Sequence, residues 1–537
     1  MSKIAERIAN LSPERQKLLE RLLKHDQIEL SQEVIMPRVR ESNDAPLSFA
    51  QQRLWLFLQL DPDTVSYNVP EAFILKGHLN VEALTRSFNE IVRRHEILRT
   101  TFQVVAGEPR QVIGEPQPIA LDVVDLSQLP DRNAKAQEVI NDAAWQLFDL
   151  TRGPLLRLNL MKMEETEHIL LLTFHHIVHD GWSSSVLLHE FTMLYNAFVR
   201  NEPSPLPELP IQYADFAIWQ REWLSGEVLE KQLSYWRNKL AGALPVLELP
   251  TDRLRPAIPS HRGGAVLLHL PPTLSTELQN LTNDEGATLY MTLLAAFKVL
   301  LHRYSGQTDI CVGVPIANRN RAETENLIGF FINNLVLRSN LKGNPTFQSL
   351  LLQVREETIN AYAHQDIPFE KLVEELQPER SLSYMPLFQV AFTLQNAPSE
   401  ELSIHDLSLS ELDVDVVVSK YDLSLFVIEM EDHLFSFIVY NSDIFDGPTI
   451  ERLFKHYQML LEGIVADRQQ RIDELPMLTE EEQQLFSEIN NTRAEFPEGK
   501  RIHELFEEQA SRRPEAVAVN YQGRELTYGE LNRQANR

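Results

Sequence analysis

The sequence predicts an α/β protein built from two related lobes. Helix-period and strand-period apolar patterns alternate along most of the chain, the mark of a layered α/β architecture. In addition, one strand–corner–helix segment recurs. EHILLLTFHHIVHDGWSSSVLLHEFTMLYNAF, from Glu167, lies without a gap over HLFSFIVYNSDIFDGPTIERLFKHYQMLLEGI, from His433. Asp180-Gly181 then falls on Asp446-Gly447, and Leu187, Leu188, Phe191, Leu194, Tyr195 and Phe198 fall on Leu453, Phe454, Tyr457, Leu460, Leu461 and Ile464. Each copy reads as a buried strand, a short corner, Asp-Gly, and a helix with one apolar face. His175-His176 falls on Asn441-Ser442, so the corner repeats and its histidines do not.

Residues 1–40 are expected to form short helices, as a linker or docking segment. Ser12 caps a helix with Pro13 in its first turn, and Leu18, Leu19, Leu22 and Leu23 supply its apolar stripe. A first lobe is expected over 41–210. Within it ALTRSFNEIVRRHEILRTTF reads as a helix running into a strand, EHILLLTF as a fully buried strand, and SSVLLHEFTMLYNAF as an amphipathic helix. NEPSPLPELP then opposes both helix and central strand by its proline density and marks a crossing connection. A second lobe, 211–470, carries the helix LYMTLLAAFKVLLHRY and the strands DICVGVP and LFSFIVY. A linker follows over 471–495, in which Thr479 and Glu482 form a capping box. Residues 496–537 read as a helix, a strand, a Gly turn, a strand and the start of a helix, the opening of a further domain.

Lys and Arg number 50 against 77 Asp and Glu, a net charge of −27, and the hydrophobic fraction of 43% is that of a soluble globular protein. Such a field repels nucleic acid and anionic membrane, which removes both as expected partners. Cys311 is the single cysteine, so no intrachain disulfide forms, and its neighbours DICVGVPI mark it as a core residue rather than a nucleophile. The stretch MSKIAERIANLSPERQKLLERLLK is too interrupted by charge for a signal peptide or membrane span, and the expected location is the cytoplasm.

FHHIVHDGWSS (Phe174–Ser184) is the candidate site. Strand alternation sends His175 and His176 to opposite faces, one into the lobe and the other toward a cleft. Asp180 ends the corner, placed to accept from helix N-terminal amides or to pair with an arginine. The spacing does not match HExxH and no second His/Cys cluster adds ligands, so no metal is expected. An imidazole acting on a nucleophile's proton suits the pair better. His179 is expected at the corner's partly exposed edge.

HHIVHDG resembles the HHxxxDG motif of condensation domains of nonribosomal peptide synthetases, a family related to CoA-dependent acyltransferases such as chloramphenicol acetyltransferase. Companion stretches strengthen the resemblance. LSFAQQRLWLF (Leu47–Phe57) is similar to the family's first motif, RHEILRTTF (Arg94–Phe102) to its second, and IQYADFAIWQ (Ile211–Gln220) to its fourth. IGFFINNLVLR (Ile328–Arg338) is similar to the fifth and HQDIPFEKLV (His364–Val373) to the sixth. RSLSYMPLFQV (Arg380–Val390) matches the last more loosely, lacking the aspartate that usually follows the first arginine. LTYGEL (Leu526–Leu531) resembles the start of an adenylation domain.

The resemblance implies two chloramphenicol-acetyltransferase-like lobes forming a V-shaped pseudo-dimer with a substrate tunnel between them. It implies peptide-bond formation, in which the amine of a downstream aminoacyl thioester attacks an upstream acyl or peptidyl thioester. Both substrates hang on phosphopantetheine arms of donor and acceptor carrier proteins, so the chain itself needs no cofactor. By motif position His176 is the catalytic residue, as general base or as a group that orients the amine or stabilises the intermediate. His175 reads as structural, and Asp180 as one half of a salt bridge for which Arg319, in GVPIANR, is the candidate partner. Gly181 leaves room for a substrate arm and offers a backbone amide. Arg94, Arg99, Trp219 and Asn333 occupy motif positions associated with activity, with lobe stability the competing role for the arginines and Trp219. YNVPEAFILKG (Tyr67–Gly77) is similar to the type that takes an L-configured donor. The alternatives are an epimerization domain, a CoA-dependent acyltransferase, or a non-catalytic recruitment module of the same fold. The DxxxxD of ring-forming relatives is absent.

Overall fold

The computed structural model describes residues 34–537 except 40–41, 243, 379–380, 382, 396–403, 413, 415–416, 431–432 and 494–498. The expected helix around Ser12 and Pro13, and Arg380 of the last motif, lie outside the described residues. The chain divides into two compact units, one ending at Met477 and the other spanning Leu478–Arg537.

The first unit begins with β1 (Asp44–Pro46), α1 (Phe49–Leu60), β2 (Asn68–Gly77), α2 (Val81–Arg94), β3 (Thr100–Val105), β4 (Glu108–Ile113) and β5 (Leu121–Asp125). It continues through α3 (Arg132–Trp145), β6 (Leu156–Glu164), β7 (Glu167–His175), α4 (Gly181–Val199), α5 (Tyr213–Trp223) and α6 (Gly226–Lys239). Next come β8 (Gly263–His269), α7 (Pro272–Asp284), α8 (Leu289–Ser305), β9 (Asp309–Ile316), β10 (Asn333–Asn340), α9 (Phe347–Ala363) and α10 (Phe369–Leu376). The unit closes with β11 (Val390–Gln395), β12 (Leu407–Leu412), β13 (Leu423–Glu429), β14 (Leu434–Asn441) and α11 (Gly447–Ala466).

Two large sheets organise these elements among the described residues. One has the order β12-β2-β7-β6-β5 and the other β10-β9-β11-β13-β14-β8, with a small β1-β4-β3 sheet beside them. Both repeated corners therefore follow interior strands, β7 of the first sheet and β14 of the second. β7 is buried along nearly its whole length, as the continuous apolar run of EHILLLTF requires, whereas β14 is buried on alternate residues. After each corner the helix turns its apolar stripe to the core: Leu187, Phe191, Leu194, Tyr195 and Phe198 of α4, and Leu453, Tyr457, Leu460, Leu461 and Ile464 of α11, are buried.

The two cores do not divide at residue 210. Tyr213 and Phe216 of α5, and Leu327, Ile328, Phe330 and Phe331, pack into the core of the first sheet. The chain also leaves the second sheet after β11, adds β12 to the edge of the first, and returns as β13. β12 runs antiparallel to β2, with Leu407 opposite Gly77 and Leu412 opposite Ala72. Gly77 permits that close start. Its φ is +127°, and a Cβ there would stand 2.0 Å from the Asp406 carbonyl oxygen. The returning strand is tied down where the Gly263 N–H donates to Val417 O and the Ser419 N–H to His261 O.

The second unit contains α12 (Glu480–Asn490), α13 (Ile502–Arg512), an antiparallel hairpin of β15 (Val517–Tyr521) and β16 (Arg524–Thr527), and α14 (Tyr528–Ala535). The Thr479–Glu482 capping box opens α12, each side chain bonding the other's backbone N–H.

Candidate active site

β7 delivers the histidine corner and a 3-10 turn over His176–Val178 bends it toward α4. His175 is the last residue of the strand. Its Nδ1 accepts from the Ile177 N–H at 3.1 Å, and its buried ring lies near Tyr67 and Phe148. Burial, and then the charge of Lys420, push its imidazole down to about 3. It is a neutral packing group that holds the turn.

His176 is held differently. Its backbone N–H donates to Tyr67 O at 2.8 Å, and Nδ1 lies 2.7 Å from the His179 carbonyl oxygen. A carbonyl only accepts, so Nδ1 carries the proton and Nε2 is the ring atom free to accept one. The side chain lines a cavity of about 180 Å³ with Ser66, Asn68, Val69, Trp145, Val418 and Lys420. Burial, then the positive charge of Lys420, hold the imidazole well below its usual range. The result is a neutral, oriented base beside open space.

His179 is fully buried, contrary to the expectation of a partly exposed edge residue. After the 3-10 turn its ring folds back onto Phe174, with centroids 3.9 Å apart and planes 9° from parallel. Burial pushes it down to about 4. Its Nδ1 stands 3.9 Å from Glu71 Oε1, the same oxygen that accepts from Ser184 Oγ at 2.6 Å. Burial raises the Glu71 carboxyl to about 7.

Asp180 caps α4, accepting from the Ser183 N–H at 2.9 Å and from Ser183 Oγ at 2.7 Å. Its other oxygen accepts from the Phe331 N–H at 2.9 Å, and Arg319 Nη2 lies 3.0 Å from the capping oxygen. Arg319 also donates to the carbonyls of Thr324 and Leu327 and stands over the Phe331 ring. One carboxylate thus binds the first sheet's helix to the 319–331 segment between β9 and β10. In the repeated corner Asp446 pairs with Arg253 instead, half-exposed and without capping the helix. Gly181 has no protein atom within 4 Å of where a Cβ would sit, so the chain's own packing does not require glycine there.

The remaining motif residues build the surroundings. Arg94 is buried against Glu190 at 2.8 Å and donates to Pro207 O. Arg99 donates to Gly114 O. Trp219 stacks on Trp223 and lies under the Arg321 guanidinium, 4.2 Å from the ring centre. Asn333 donates to the carbonyls of Gln365 and Ile367 and accepts from the Phe369 N–H, fixing the entry of α10. The first motif supports the corner through Gln51, whose amide donates to Ile177 O at 3.3 Å. These contacts frame the His176 turn without placing Arg94, Arg99, Trp219 or Asn333 among the residues lining its cavity.

Sequence reasoning missed Lys420, whose Nζ stands 4.7 Å from the centre of the Tyr67 ring and whose side chain lines the His176 cavity. Burial pushes its ammonium down to about 7. Its local signal is no more than a lysine shortly before the buried strand LSLFVIE. Also missed was Arg53–Glu370, an ion pair of 2.9 Å between α1 and α10. Among the described residues no group of three or more His, Cys, Asp or Glu is arranged to hold a metal. Nor is any described helix long and apolar enough to cross a membrane.

A family model described as a condensation domain matches residues 41–486. A linear gramicidin synthase of Brevibacillus parabrevis is 50% identical over 508 residues, which cover 94% of this chain and 10% of that protein. The chain thus spans about a tenth of that relative's length. Among solved structures, the X-domain from teicoplanin biosynthesis is 30% identical with a TM-score of 0.76, covering 83% of this chain and 100% of its own. A four-domain nonribosomal peptide synthetase bound to AMP and glycine matches with a TM-score of 0.78, covering 91% of this chain and 38% of its own. At 22% identity that match speaks for the fold.

Proposed function

Because the chain belongs to the condensation-domain family, we propose that it forms peptide bonds in nonribosomal peptide synthesis. The substrates are an upstream acyl or peptidyl thioester and a downstream aminoacyl thioester, each on the phosphopantetheine arm of a carrier protein. The observation that carries this reading is the tautomer of His176. Nδ1–H is committed to the His179 carbonyl, and Nε2 is left to accept a proton on a ring that lines the cavity.

The acceptor amine attacks the donor thioester carbon, a C–N bond forms, and the C–S bond breaks. His176 Nε2 takes the proton that the amine must lose, leaving a tetrahedral oxyanion, and returns it to the thiolate that departs as the intermediate collapses, so the products are an amide and a neutral thiol. Holding two tethered reactants together supplies much of the acceleration, because it removes the entropy of their encounter. The open space at Gly181 and the N-terminal end of α4 suit the passage of an arm and the stabilisation of the tetrahedral oxyanion. Asp180–Arg319 keeps the two lobes in register around that space. The motif style of Tyr67–Gly77 supports an L-configured donor, the second unit supports an adenylation domain that continues the chain, and the setting is the cytoplasm.

Mixing donor-loaded and acceptor-loaded carrier proteins with the chain tests the reading. Amide product on the acceptor arm, with L donors preferred over D, is the expected outcome. No amide product from a broad panel of pairs removes the catalytic reading in favour of a recruitment module.

A further inference from the structure

His176 does not face its cavity alone. Lys420 lies on the segment that returns from β12 to β13, which brings second-lobe residues Val418 and Lys420 to a cavity otherwise walled by residues of the first lobe. Two contacts fix the relation. The backbone carbonyl of Tyr67 accepts from the His176 N–H, and the ring of the same tyrosine carries the Lys420 ammonium on its face. Tyr67 therefore ties the lysine to the histidine from both ends.

We propose that Lys420 is a positioning residue of the reaction cavity: its ammonium opposes any second positive charge there, keeping both the His176 imidazole and the incoming amine in their neutral forms. The inference rests on the condensation reading of the site. Only a neutral amine attacks a thioester, and only a neutral imidazole accepts its proton.

Burial is the first cause that keeps the His176 imidazole neutral, and Lys420 is the neighbouring charge that adds most to it. His175 and His179 are held neutral by burial, pushed down to about 3 and about 4. Burial raises the phenols of Tyr67 and Tyr421, the latter to about 12, so both stay uncharged. Arg53 is balanced by Glu370 at 2.9 Å. Glu71, raised to about 7, accepts from Ser184 Oγ at 2.6 Å and stands 3.9 Å from His179 Nδ1. Lys420, itself pushed down to about 7, is charged on the acid side of neutrality, where both the imidazole and the amine would otherwise gain protons.

The test uses the full chain as wild type, Lys420→Met, Lys420→Gln and Lys420→Arg. Diethyl pyrocarbonate reacts with neutral imidazole, and mass spectrometry of the His176 peptide reads its labelling against pH. Lys420→Met should move the midpoint upward by about half a unit to one unit, with Lys420→Arg at the wild-type position. The acid limb of single-turnover amide formation should move with it, and the variants should converge with wild type at alkaline pH. Lys420→Gln gives the same reading if the methionine variant does not fold. An unmoved midpoint, or a rate loss equal at every pH, overturns the proposal. A moved midpoint in a chain that forms no amide from any carrier pair would instead remove the condensation reading, leaving the Lys420–His176 coupling standing.

Discussion

Arg319 Nη2 and Asp180 Oδ1 stand 3.0 Å apart, with both side chains almost wholly removed from solvent. The pair joins the first turn of α4 to the segment that carries Phe330 and Phe331 into the first core. A buried pair of this kind is costly to break from one side, because the surviving charge keeps its desolvation cost and loses its partner.

Replacing Arg319 with Ala, or Asp180 with Ala, is predicted to destabilise the fold by roughly 3–5 kcal/mol. The double variant should lose less than the sum of the two. Urea unfolding of the four proteins checks this. Additive losses would show that the two side chains act separately.

Gly181→Leu is predicted to melt within a few degrees of wild type, because no protein atom lies within 4 Å of the new Cβ. Amide formation from loaded carriers should nonetheless fall, as the side chain enters the space assigned to a substrate arm. Calorimetry and a product assay on one preparation separate the two effects. Unimpaired turnover would free Gly181 from any such role.

Stability is predicted to rise with pH through the mildly acidic range. His175 and His179 ionise near 6.5 when unfolded but at about 3 and about 4 when folded, so the unfolded chain binds more protons between those values. The stabilisation is full above 6.5 and is lost as pH falls toward about 4 for His179 and about 3 for His175. His176, held well below its usual range by burial, adds in the same sense, while Glu71, raised from 4.5 to about 7, acts in the opposite direction between those values and offsets one of the three histidines. His179→Phe preserves the stack on Phe174 and should flatten the dependence. Urea midpoints across the range provide the check, and a slope unchanged in the variant would contradict the assignment.

Asn333→Ala is predicted to cost about 1–3 kcal/mol, since two carbonyls before α10 and the N–H of its first residue lose their partner. Hydrogen exchange at Phe369 should accelerate with it. Exchange unaltered at that amide would place the role of Asn333 elsewhere.

Local pattern is the part of this fold that is legible in the sequence. The strand before the corner, the Asp-Gly that opens α4 and α11, and the Thr479 capping box all depend on residues a few positions apart. Partner choice over long separations is not written that way. LSLSEL forms the edge strand of the first sheet, yet nothing in it names β2, some 330 residues earlier, as its neighbour. For the same reason Tyr213, Phe216, Phe330 and Phe331 look like second-lobe residues until the structure places them in the first core. His179 departs from its expected edge position because its burial depends on a 3-10 turn that folds it onto Phe174. Lys420 carries no periodic signal, and only the crossing of β12 and β13 between sheets brings it beside His176.

The most direct measurement is single-turnover amide formation between two loaded carrier proteins, compared for wild type and His176→Ala. Among the described residues the side chain makes one hydrogen bond, and it lines a cavity, so the variant should remain folded. The account predicts a rate lower by about 10²–10⁴-fold at neutral pH, with both carriers still bound. A folded His176→Ala chain that transfers the acyl group as fast as wild type would contradict it.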